Sequence, residues 1–502
     1  MIIPSRSRAL PLAIAAAAVG AGAIVALYYH RLGLTLSHYD ARGHLIVARR
    51  VFDSITPGWQ QVGAVWLPLP HLLNLLPVQI DFFYRTGASA VAISVMAYGL
   101  ATGAIAWIVM RVTGCAPGAL VASAAFALNP NVLYLQATPM TEPLLIALTV
   151  VAVALLMRWS AAAGPELTGE TSSALVGVAF ALACLTRYEA WPVTAAALSI
   201  AVWVRWRNGD TAVEACRRVG RIAAYPAAAL VVFVIHSRVV VGEWFTASGF
   251  FVPENKALDR PLTALAEIWW GAHALSGTLM IAIAAIGLCA LIVRSASGSA
   301  RADALITLSL VATAALPWAA FVKGHPFRIR YMVPLLAVEA IGVGAAIALA
   351  RRAAPVAAAL VALAFAYTMH PLDASAPMVL EAQWDRPNVQ ARRQVTECIR
   401  AKYDGGTIMA SMGSLGHYMQ EMAGQGFALH NFLHEGNGDI WLAALNRPHP
   451  YAAWIMIEEK AEGGDMLARI ARAHPAFLEE YVRVCEGAGV ALYRRTTASS
   501  GP

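Results

Sequence analysis

The chain has 502 residues, of which 59% are hydrophobic and only 13% are charged. Soluble proteins carry about 25% charged and about 45–50% apolar residues, and large soluble chains divide into domains rather than enlarge one core. The composition excludes an ordinary soluble enzyme, a disordered chain and a disulfide-rich secreted domain. It indicates a polytopic α-helical membrane protein.

The net charge of +7 is divided unevenly along the chain. From Pro371 onward there are 12 basic and 15 acidic residues, which gives −3, so the first 370 residues hold 25 basic and 15 acidic residues, which gives +10. A positive membrane part is what anionic lipid and the positive-inside rule produce. Nucleic-acid binding is not predicted, because no Lys/Arg cluster is interleaved with aromatic residues on a soluble face.

Eleven apolar stretches approach the length of about 20 residues that a membrane-spanning helix needs. The short connections on one side carry 13 arginines, so this side is predicted to be cytoplasmic. The N-terminus is then cytoplasmic and the C-terminal domain extracytoplasmic. The predicted spans are 9–30, 87–110, 116–130, 139–158, 173–187, 189–205, 221–241, 273–293, 303–322, 331–350 and 354–370.

The chain is predicted to divide into a transmembrane domain, 1–370, and a small soluble α/β domain, 371–502. In the second domain we expect strands at 407–411 and 453–457, a hairpin of 481–485 with 490–494, and helices near 388–402 and 463–473. None of the six cysteines has metal-ligand spacing. A disulfide between Cys398 and Cys485 is possible if this domain lies outside the cytoplasm.

The first outer loop, 31–86, contains the first candidate carboxylate, Asp40, just past the first span. Asp40 and His44 share one face if a helix starts here, and the apolar residues that follow suggest a helix on the membrane interface. At a cavity mouth, Asp40 can take a proton from an acceptor hydroxyl or hold a divalent cation. Alternatively, Ser37-x-x-Asp40 only caps the helix. The apolar residues are Leu45, Ile46, Val51 and Phe52.

The same loop ends in Trp66-Leu-Pro-Leu-Pro-His71. The two prolines predict an extended turn, which either contacts substrate through His71 or serves only as a rigid turn. His44 is either a ligand or an interfacial polar residue.

Glu142 opens the fourth span on the same side of the membrane. Thr138 and Pro139 are predicted as N-cap and first helical residue, and Glu142 in the first turn suits the helix dipole. The alternative is a second acidic residue that faces Asp40 across a cavity.

Charged residues also occur where orientation does not require them. Arg187 and Glu189, on either side of Tyr188, either pair with each other or provide an arginine for a phosphate. Arg328 and Arg330, followed by Tyr331, lie on the outer side, where they either snorkel to outer lipids or bind a phosphate or pyrophosphate, which arginine forks suit. In loop 242–272, Lys256 and Trp269-Trp270 suit either sugar binding or the membrane interface.

Together these motifs resemble the glycosyltransferase C superfamily, polytopic enzymes that use polyprenyl-phosphate-linked sugars. The pattern is similar in outline to protein O-mannosyltransferases and lipid A aminoarabinose transferases. The resemblance implies that Asp40 is a general base or metal-associated carboxylate, that Leu67–Pro70 is the proline-containing segment and that Arg328 and Arg330 meet the lipid phosphate. Two departures are clear: Asp40 is followed by Ala41 instead of Glu, and Trp269-Trp270 is not followed by Asp-Tyr-Gly.

The sequence therefore predicts a membrane glycosyltransferase, a hexosyl- or pentosyltransferase, that moves a sugar from a polyprenyl-phosphate carrier to a lipid, glycan or protein acceptor by inverting single displacement. A lipid or glycan flippase without transferase chemistry and a non-catalytic scaffold are the rival hypotheses. A divalent cation, Mg²⁺ or Mn²⁺, is a possible cofactor, with Asp40 and His44 as possible ligands. The predicted catalytic residues are Asp40 and Glu142, and the predicted substrate-binding residues are His44, His71, Arg187, Tyr188, Glu189, Lys256, Arg328, Arg330 and Tyr331.

Overall fold

The computed structural model describes residues 5–161, 172–244, 255–296 and 301–496. Residues 245–254 of the predicted loop 242–272 lie outside these ranges. The chain forms two compact units. Unit 1 comprises Met1–Leu32, Ala64–Pro70 and Val91–Leu380, and unit 2 comprises Gly33–Gly63, His71–Ala90 and Glu381–Pro502.

All regular secondary structure in the described part of the chain before residue 382 is helical. Each of the eleven predicted spans coincides with one or two of these helices. The helices are α1 (Ser5–Arg31), α2 (Tyr39–Arg49), α3 (Leu69–Asn74), α4 (Asp81–Thr86), α5 (Ala88–Thr113), α6 (Ala116–Ala127), α7 (Pro130–Leu135), α8 (Glu142–Ala161), α9 (Ser173–Cys184), α10 (Ala190–Arg207), α11 (Ala212–Val241), α12 (Pro261–Ala296), α13 (Arg301–Leu308), α14 (Ala315–Val322), α15 (Leu335–Leu349), α16 (Ala354–Thr368) and α17 (Pro377–Glu381).

Seven helical segments among the described residues are long and apolar enough to cross a membrane. The helices α6 and α9 are apolar but shorter, so the number of eleven spans stays a prediction. The seven segments are Ala9–Arg31, Ala88–Thr113, Glu142–Ala161, Ala212–Val241, Pro261–Ala296, Arg301–Val322 and Ile329–Leu349.

Small residues allow the helices of unit 1 to approach closely. A Cβ on Gly287 of α12 would collide with the backbone of Gly342 on α15, and a Cβ on Gly118 of α6 would lie 2.6 Å from the carbonyl oxygen of Gly344. Such contacts are typical of helix packing in membranes, where dispersion rather than water exclusion drives association. The second half of α12 and α6 are therefore both packed directly against α15.

Unit 2 contains a five-stranded sheet with the order β2-β1-β3-β5-β4. The first three strands are parallel and the last two are antiparallel to their neighbours. Helix α18 precedes β1, and α19, α20 and α21 connect β1 to β2, β2 to β3 and β3 to β4. The elements are α18 (Val389–Lys402), β1 (Ile408–Ala410), α19 (Met412–Met422), β2 (Phe432–Leu433), α20 (Asp439–Asn446), β3 (Trp454–Glu458), α21 (Met466–Ala473), β4 (Tyr481–Gly487) and β5 (Val490–Arg495).

The predicted hairpin of β4 and β5 is present, but β4 continues to Gly487, so that only Ala488 and Gly489 form the turn. Ala488 and Gly489 have φ of 53° and 83°, and positive φ at both central residues is what a two-residue type I′ connection requires. Cys485 of β4 forms a disulfide with Cys398 of α18, with their Cα atoms 6.6 Å apart. The sequence alone had left this pairing open.

The sheet is covered on both faces, and α2 from the first loop covers part of one face. Leu45 and Ile46 are each only 1% exposed and pack with Trp454 and residues of α18 and α19. The expected interfacial role of Leu45, Ile46 and Val51 is therefore wrong, although Phe52 is exposed. A bilayer and a sheet bury an apolar helix face equally well, so the sequence pattern could not distinguish them.

The compact units also divide the chain differently from the predicted boundary at residue 370. Most of the first loop belongs to unit 2, because α2 and α4 share its core, whereas residues 371–380 belong to unit 1. The extracytoplasmic position of the C-terminal domain stays a prediction.

Candidate active site

Asp40 lies in the first turn of α2, in unit 2. The N-cap is His38, whose Nδ1 accepts a hydrogen bond of 3.1 Å from the backbone N–H of Asp40. Ser37 donates its hydroxyl to the carbonyl of Leu34 instead. The predicted cap by Ser37 and Asp40 is therefore wrong, and Asp40 is a partly exposed first-turn carboxylate that suits the helix dipole.

Two side chains of α2 fix its rotation against α19 and thereby the direction of Asp40. The Tyr39 hydroxyl donates to the carbonyl of Gly413 over 2.7 Å. Arg42 donates to the carbonyl of His417 over 3.1 Å and forms an ion pair of 3.2 Å with Glu421. Burial raises the pKa of Tyr39, so its phenol stays a neutral donor.

His44 and His71 form a buried pair in unit 2. Their Nδ1 and Nε2 atoms are 3.0 Å apart, and the residues are 8% and 1% exposed. Burial, with the nearby His44 and Arg50, lowers the pKa of His71 well below its ordinary value, so His71 is neutral. This geometry favours an interior hydrogen bond over the predicted contact with substrate.

A protein-built metal site is not formed by the described residues. No three His, Cys, Asp or Glu side chains within these ranges come together as a metal-binding group. Mg²⁺ usually binds through one or two carboxylates together with substrate phosphates, so a divalent cation with Asp40 and His44 as possible ligands stays a prediction.

In unit 1, Glu142 is the first residue of α8 and is fully buried. The helix begins three residues later than Pro139, because Thr138 donates to the carbonyl of Leu135 over 2.7 Å in the turn after α7. The predicted N-cap at Thr138 is therefore wrong, while the position of Glu142 in the first turn is confirmed.

Arg187, between α9 and α10, joins two carboxylates. Its Nη1 lies 3.0 Å from Glu142 Oε1, and its Nη2 lies 2.7 Å from Glu189 Oε1. Nη1 also donates to Thr141 Oγ1 over 3.1 Å. Because the guanidinium is held by two carboxylates, the geometry favours the pairing interpretation of Arg187 over the phosphate one.

Arg330 also lies near Glu142. Its Nε is 3.9 Å from Glu142 Oε1, which is ion-pair distance but not hydrogen-bond distance. The Tyr331 ring contacts both arginines, 5.7 Å from Arg187 Cζ and 5.6 Å from Arg330 Cζ, within cation–π range. Two buried acids and two arginines therefore balance their charges around one aromatic ring.

Glu142 also lines a small cavity with room for about one water molecule. The other lining residues are apolar or aromatic. They are Tyr98, Ala101, Phe126, Val132, Leu135, Pro143, Ile146 and Val333.

The remaining predicted residues of unit 1 lie around this cluster in different environments. Arg328 is exposed, and no carboxylate in the described part of the chain lies within 4 Å of it. Tyr188 donates its hydroxyl to the carbonyl of Val65 over 3.0 Å. Lys256 is exposed and interacts electrostatically with Glu267. The structure thus brings together Glu142, Arg187, Glu189, Arg330 and Tyr331, but not Lys256.

Three polar residues of unit 1 were not singled out from the sequence. Glu339 lies in the middle of the apolar segment Ile329–Leu349, and a charge within a span is itself a functional signal. Asn129 and Asn131 both donate to the carbonyl of Leu275 over 2.9 Å. The Asn-Pro-Asn motif contains no charge, so only the fold shows its partner.

The sequence matches no protein-family model and no curated protein. Solved structures, however, have a similar fold. ArnT from Cupriavidus metallidurans bound to undecaprenyl phosphate aligns with a TM-score of 0.58 and 14% identity, over 96% of this chain and 99% of that chain.

Two structures from Archaeoglobus fulgidus align comparably. The oligosaccharyltransferase in complex with Zn and sulfate has a TM-score of 0.54 and 12% identity, over 92% of this chain and 71% of its own. The oligosaccharyltransferase AglB with an inhibitory peptide and a dolichol-phosphate has a TM-score of 0.53 and 12% identity, over 97% and 75%. At these identities the likeness establishes the fold, and the fold expected from the resemblance is confirmed.

Proposed function

We propose that the chain is a membrane glycosyltransferase that moves a sugar from a polyprenyl-phosphate carrier to an acceptor hydroxyl. The fold is shared with ArnT bound to undecaprenyl phosphate and with AglB in complex with a dolichol-phosphate. Both ligands are lipid phosphates, which supports a lipid-phosphate-linked donor for this chain.

The observation that carries the proposal is the arginine segment beside Glu142. Arg330 is partly buried and is held at 3.9 Å from a fully buried carboxylate. Arg328, two residues away, is exposed. A phosphate is a suitable ligand for this segment, because planar guanidinium groups bind phosphate oxygens through paired hydrogen bonds.

In the proposed reaction, Asp40 takes the proton of the acceptor hydroxyl. The acceptor oxygen forms a bond to the anomeric carbon as the bond from that carbon to the phosphate oxygen breaks. The polyprenyl phosphate leaves with the bonding electrons, and arginine stabilises the charge that develops on it. Single displacement inverts the anomeric centre.

The test is transfer by the purified full-length protein in nanodiscs, with a panel of polyprenyl-phosphate sugars. We expect release of polyprenyl phosphate and a new glycoside whose anomeric configuration, read by NMR, is opposite to that of the donor. Arg330→Gln is expected to lower kcat about 100-fold, as loss of one charge-stabilising donor does. The matched control is Arg352→Gln, an exposed arginine on the predicted cytoplasmic side. Equal rates for the two variants would contradict the role of Arg330.

Orientation is part of the proposal. The disulfide between Cys398 and Cys485 supports an extracytoplasmic unit 2, because such bonds persist in oxidising compartments. Unit 2 carries Asp40, so the acceptor would be met on the outer side.

A break in α12 at Gly277, where φ is 76°, favours one second candidate, a lipid flippase. Transporters bind substrates at broken helices near the membrane midplane. Movement of a fluorescent polyprenyl phosphate across proteoliposomes, without any sugar transfer, would support the flippase and contradict the transferase.

A further inference from the structure

The start of α2 has two candidates for its capping residue, His38 and Asp40. Aspartate is among the residues most preferred at an N-cap, whereas histidine is not. The structure nevertheless has His38 at the cap, with φ of −69° and ψ of 133°, and Asp40 in the first turn. A residue of weak intrinsic preference therefore occupies the position for which the nearby acid is better suited, and this requires compensating contacts.

The hydrogens of the His38 imidazole are fixed by its two contacts. Nδ1 lies 3.1 Å from the backbone nitrogen of Asp40. A backbone N–H only donates, so Nδ1 accepts and carries no hydrogen. The hydrogen of the neutral ring is then on Nε2, which lies 3.5 Å from Glu381 Oε1, at the outer limit of hydrogen-bond distance. Glu381 therefore favours the tautomer that can cap α2.

Burial and the flanking residues hold this arrangement in place. His38 is only 5% exposed, so its ring has few alternative orientations. Tyr39, between the two candidates, donates its hydroxyl to the carbonyl of Gly413 over 2.7 Å. Ser37 donates to the carbonyl of Leu34. Together these contacts favour a helix that begins at Tyr39.

The alternative start would change the position of the Asp40 carboxylate. With Asp40 as N-cap, α2 would begin at Ala41, and the carboxylate would accept a hydrogen bond from the backbone N–H of Gly43, the third helical residue. The carboxylate would then be turned to the backbone of its own helix and displaced from its present position. A displacement of about 1 Å in a reacting group can lower a rate about 100-fold.

We infer that His38 is a positioning residue: by capping α2 in place of Asp40, with its imidazole oriented by Glu381, it keeps the carboxylate of the proposed base out of the helix cap. Its role in sugar transfer rests on the proposed function. The choice of the capping residue is a property of the folded chain and does not.

The choice of cap is tested by residue-resolved amide hydrogen exchange of the full-length protein in nanodiscs. His38→Ala removes the cap, whereas the side-chain oxygen of His38→Asn can accept from the same N–H. In His38→Ala we expect the Asp40 amide to exchange about fivefold faster, as loss of one N-cap implies. The Gly43 amide should not exchange faster, because it gains the Asp40 carboxylate. In His38→Asn both amides should stay within about twofold of the wild type.

Two outcomes of this experiment would overturn the inference. Unchanged exchange of the Asp40 amide in His38→Ala would show that His38 does not cap α2. Faster exchange of the Gly43 amide as well would show that the first turn frays, and that Asp40 does not take over the cap.

The orienting role of Glu381 is tested by the same measurement. Glu381→Leu removes the carboxylate that selects the tautomer, so about half of the imidazoles should carry their hydrogen on Nδ1 and the Asp40 amide should exchange about twofold faster. The matched control is Glu397→Leu, at an exposed acid of α18. Equal exchange of the Asp40 amide in the two variants would contradict the role of Glu381.

The effect on the reaction is tested in the transfer assay. We expect His38→Ala to lower kcat about 10- to 100-fold and to change KM for the polyprenyl-phosphate sugar by less than about twofold, because the arginine segment is untouched. His38→Asn should restore kcat to within about threefold of the wild type. The matched control is Asp465→Ala, which removes another buried N-cap of unit 2, that of α21, and should leave kcat per folded protein within about twofold.

The kinetic and exchange results separate the inference from the proposed function. A loss of kcat in His38→Ala that His38→Asn does not restore, or an equal loss in Asp465→Ala, would overturn the positioning role. If the wild type transfers no sugar, the proposed function fails, and the exchange rates alone decide whether His38 keeps Asp40 out of the cap.

Discussion

The two predicted carboxylates, Asp40 and Glu142, both lie in the first turn of a helix, but their surroundings differ. Asp40 belongs to unit 2 and is partly exposed, on a helix whose rotation is fixed by neighbours such as Tyr39 and Arg42. Glu142 belongs to unit 1, is fully buried and lies within 4 Å of two arginines. The difference indicates that Asp40 is suited to meet a substrate, whereas Glu142 is suited to hold arginines in place.

The largest effect is expected from replacing Asp40, the carboxylate suited to meet a substrate. Asp40→Asn keeps the shape of the side chain but removes the proton acceptor, so the transfer rate should fall by about 10²–10⁴-fold with little change in stability. The control is Asp439→Asn, an exposed acid in the first turn of α20. Transfer by Asp40→Asn at the wild-type rate would remove Asp40 from the reaction.

At Glu142 we expect a loss of stability instead. Glu142→Gln leaves Arg187 and Arg330 without their shared carboxylate, which should lower the free energy of unfolding by about 3–5 kcal/mol, as for other broken buried pairs. Unfolding in detergent measures this loss in the free energy of unfolding, and Glu397→Gln, at an exposed residue of α18, is the control. Adding Arg330→Gln should recover part of the loss, and a double variant that is no more stable would contradict the pairing.

Unit 2 is stabilised by a covalent link that unit 1 lacks in the described part of the chain. Replacing Cys398 and Cys485 by serine should lower the free energy of unfolding by about 2–4 kcal/mol. Cys216→Ser with Cys289→Ser is the control, because both thiols are exposed and free.

The disulfide between Cys398 and Cys485 can also be used to measure the orientation of unit 2 in intact cells. After treatment with a membrane-impermeant reductant, we expect an impermeant maleimide to label Cys398 and Cys485. Labelling only after the cells are opened would reverse the predicted orientation.

The smallest effect concerns pH and unit 2. Burial lowers the pKa of His71, His417 and His434 well below their ordinary value, so the unfolded chain binds more protons below about pH 6.5 than the folded chain. Stability is therefore complete above this pH and falls as pH decreases. In His434→Gln, we expect the loss between pH 6.5 and 5.5 to be about 1 kcal/mol smaller than in the wild type. An equal loss would show that His434 is already protonated in the folded state.

Local patterns predicted much of the fold. Eleven apolar runs predicted helices, and each of these runs is helical in the structure. The hairpin at residues 481–494 follows from its strand composition and its glycines. Helix starts were less predictable. Thr138 and Ser37 both have a hydroxyl that could cap a helix. Thr138 instead donates to a carbonyl in the turn after α7, and the imidazole of His38 caps α2 in place of Ser37.

The candidate site was predictable only in part. The charges of Arg187, Glu189, Glu142 and Arg330 stand out because the span sequences contain so few. Their assembly around Tyr331 depends on contacts between α8, the junction of α9 and α10, and the segment before α15. Glu339 was missed although its signal is of the same kind, a single charge within an apolar segment.

The sequence by itself determined that this is a helical membrane protein with a C-terminal α/β part, because hydropathy and strand pattern are local properties of the chain. Only the tertiary structure decided what each buried face meets. Leu45 and Ile46 lie against a sheet and not against lipid, and Arg187 lies between two carboxylates. An apolar or charged residue specifies the kind of partner it needs, whereas the choice among partners far apart in sequence is made by the packing of the whole chain.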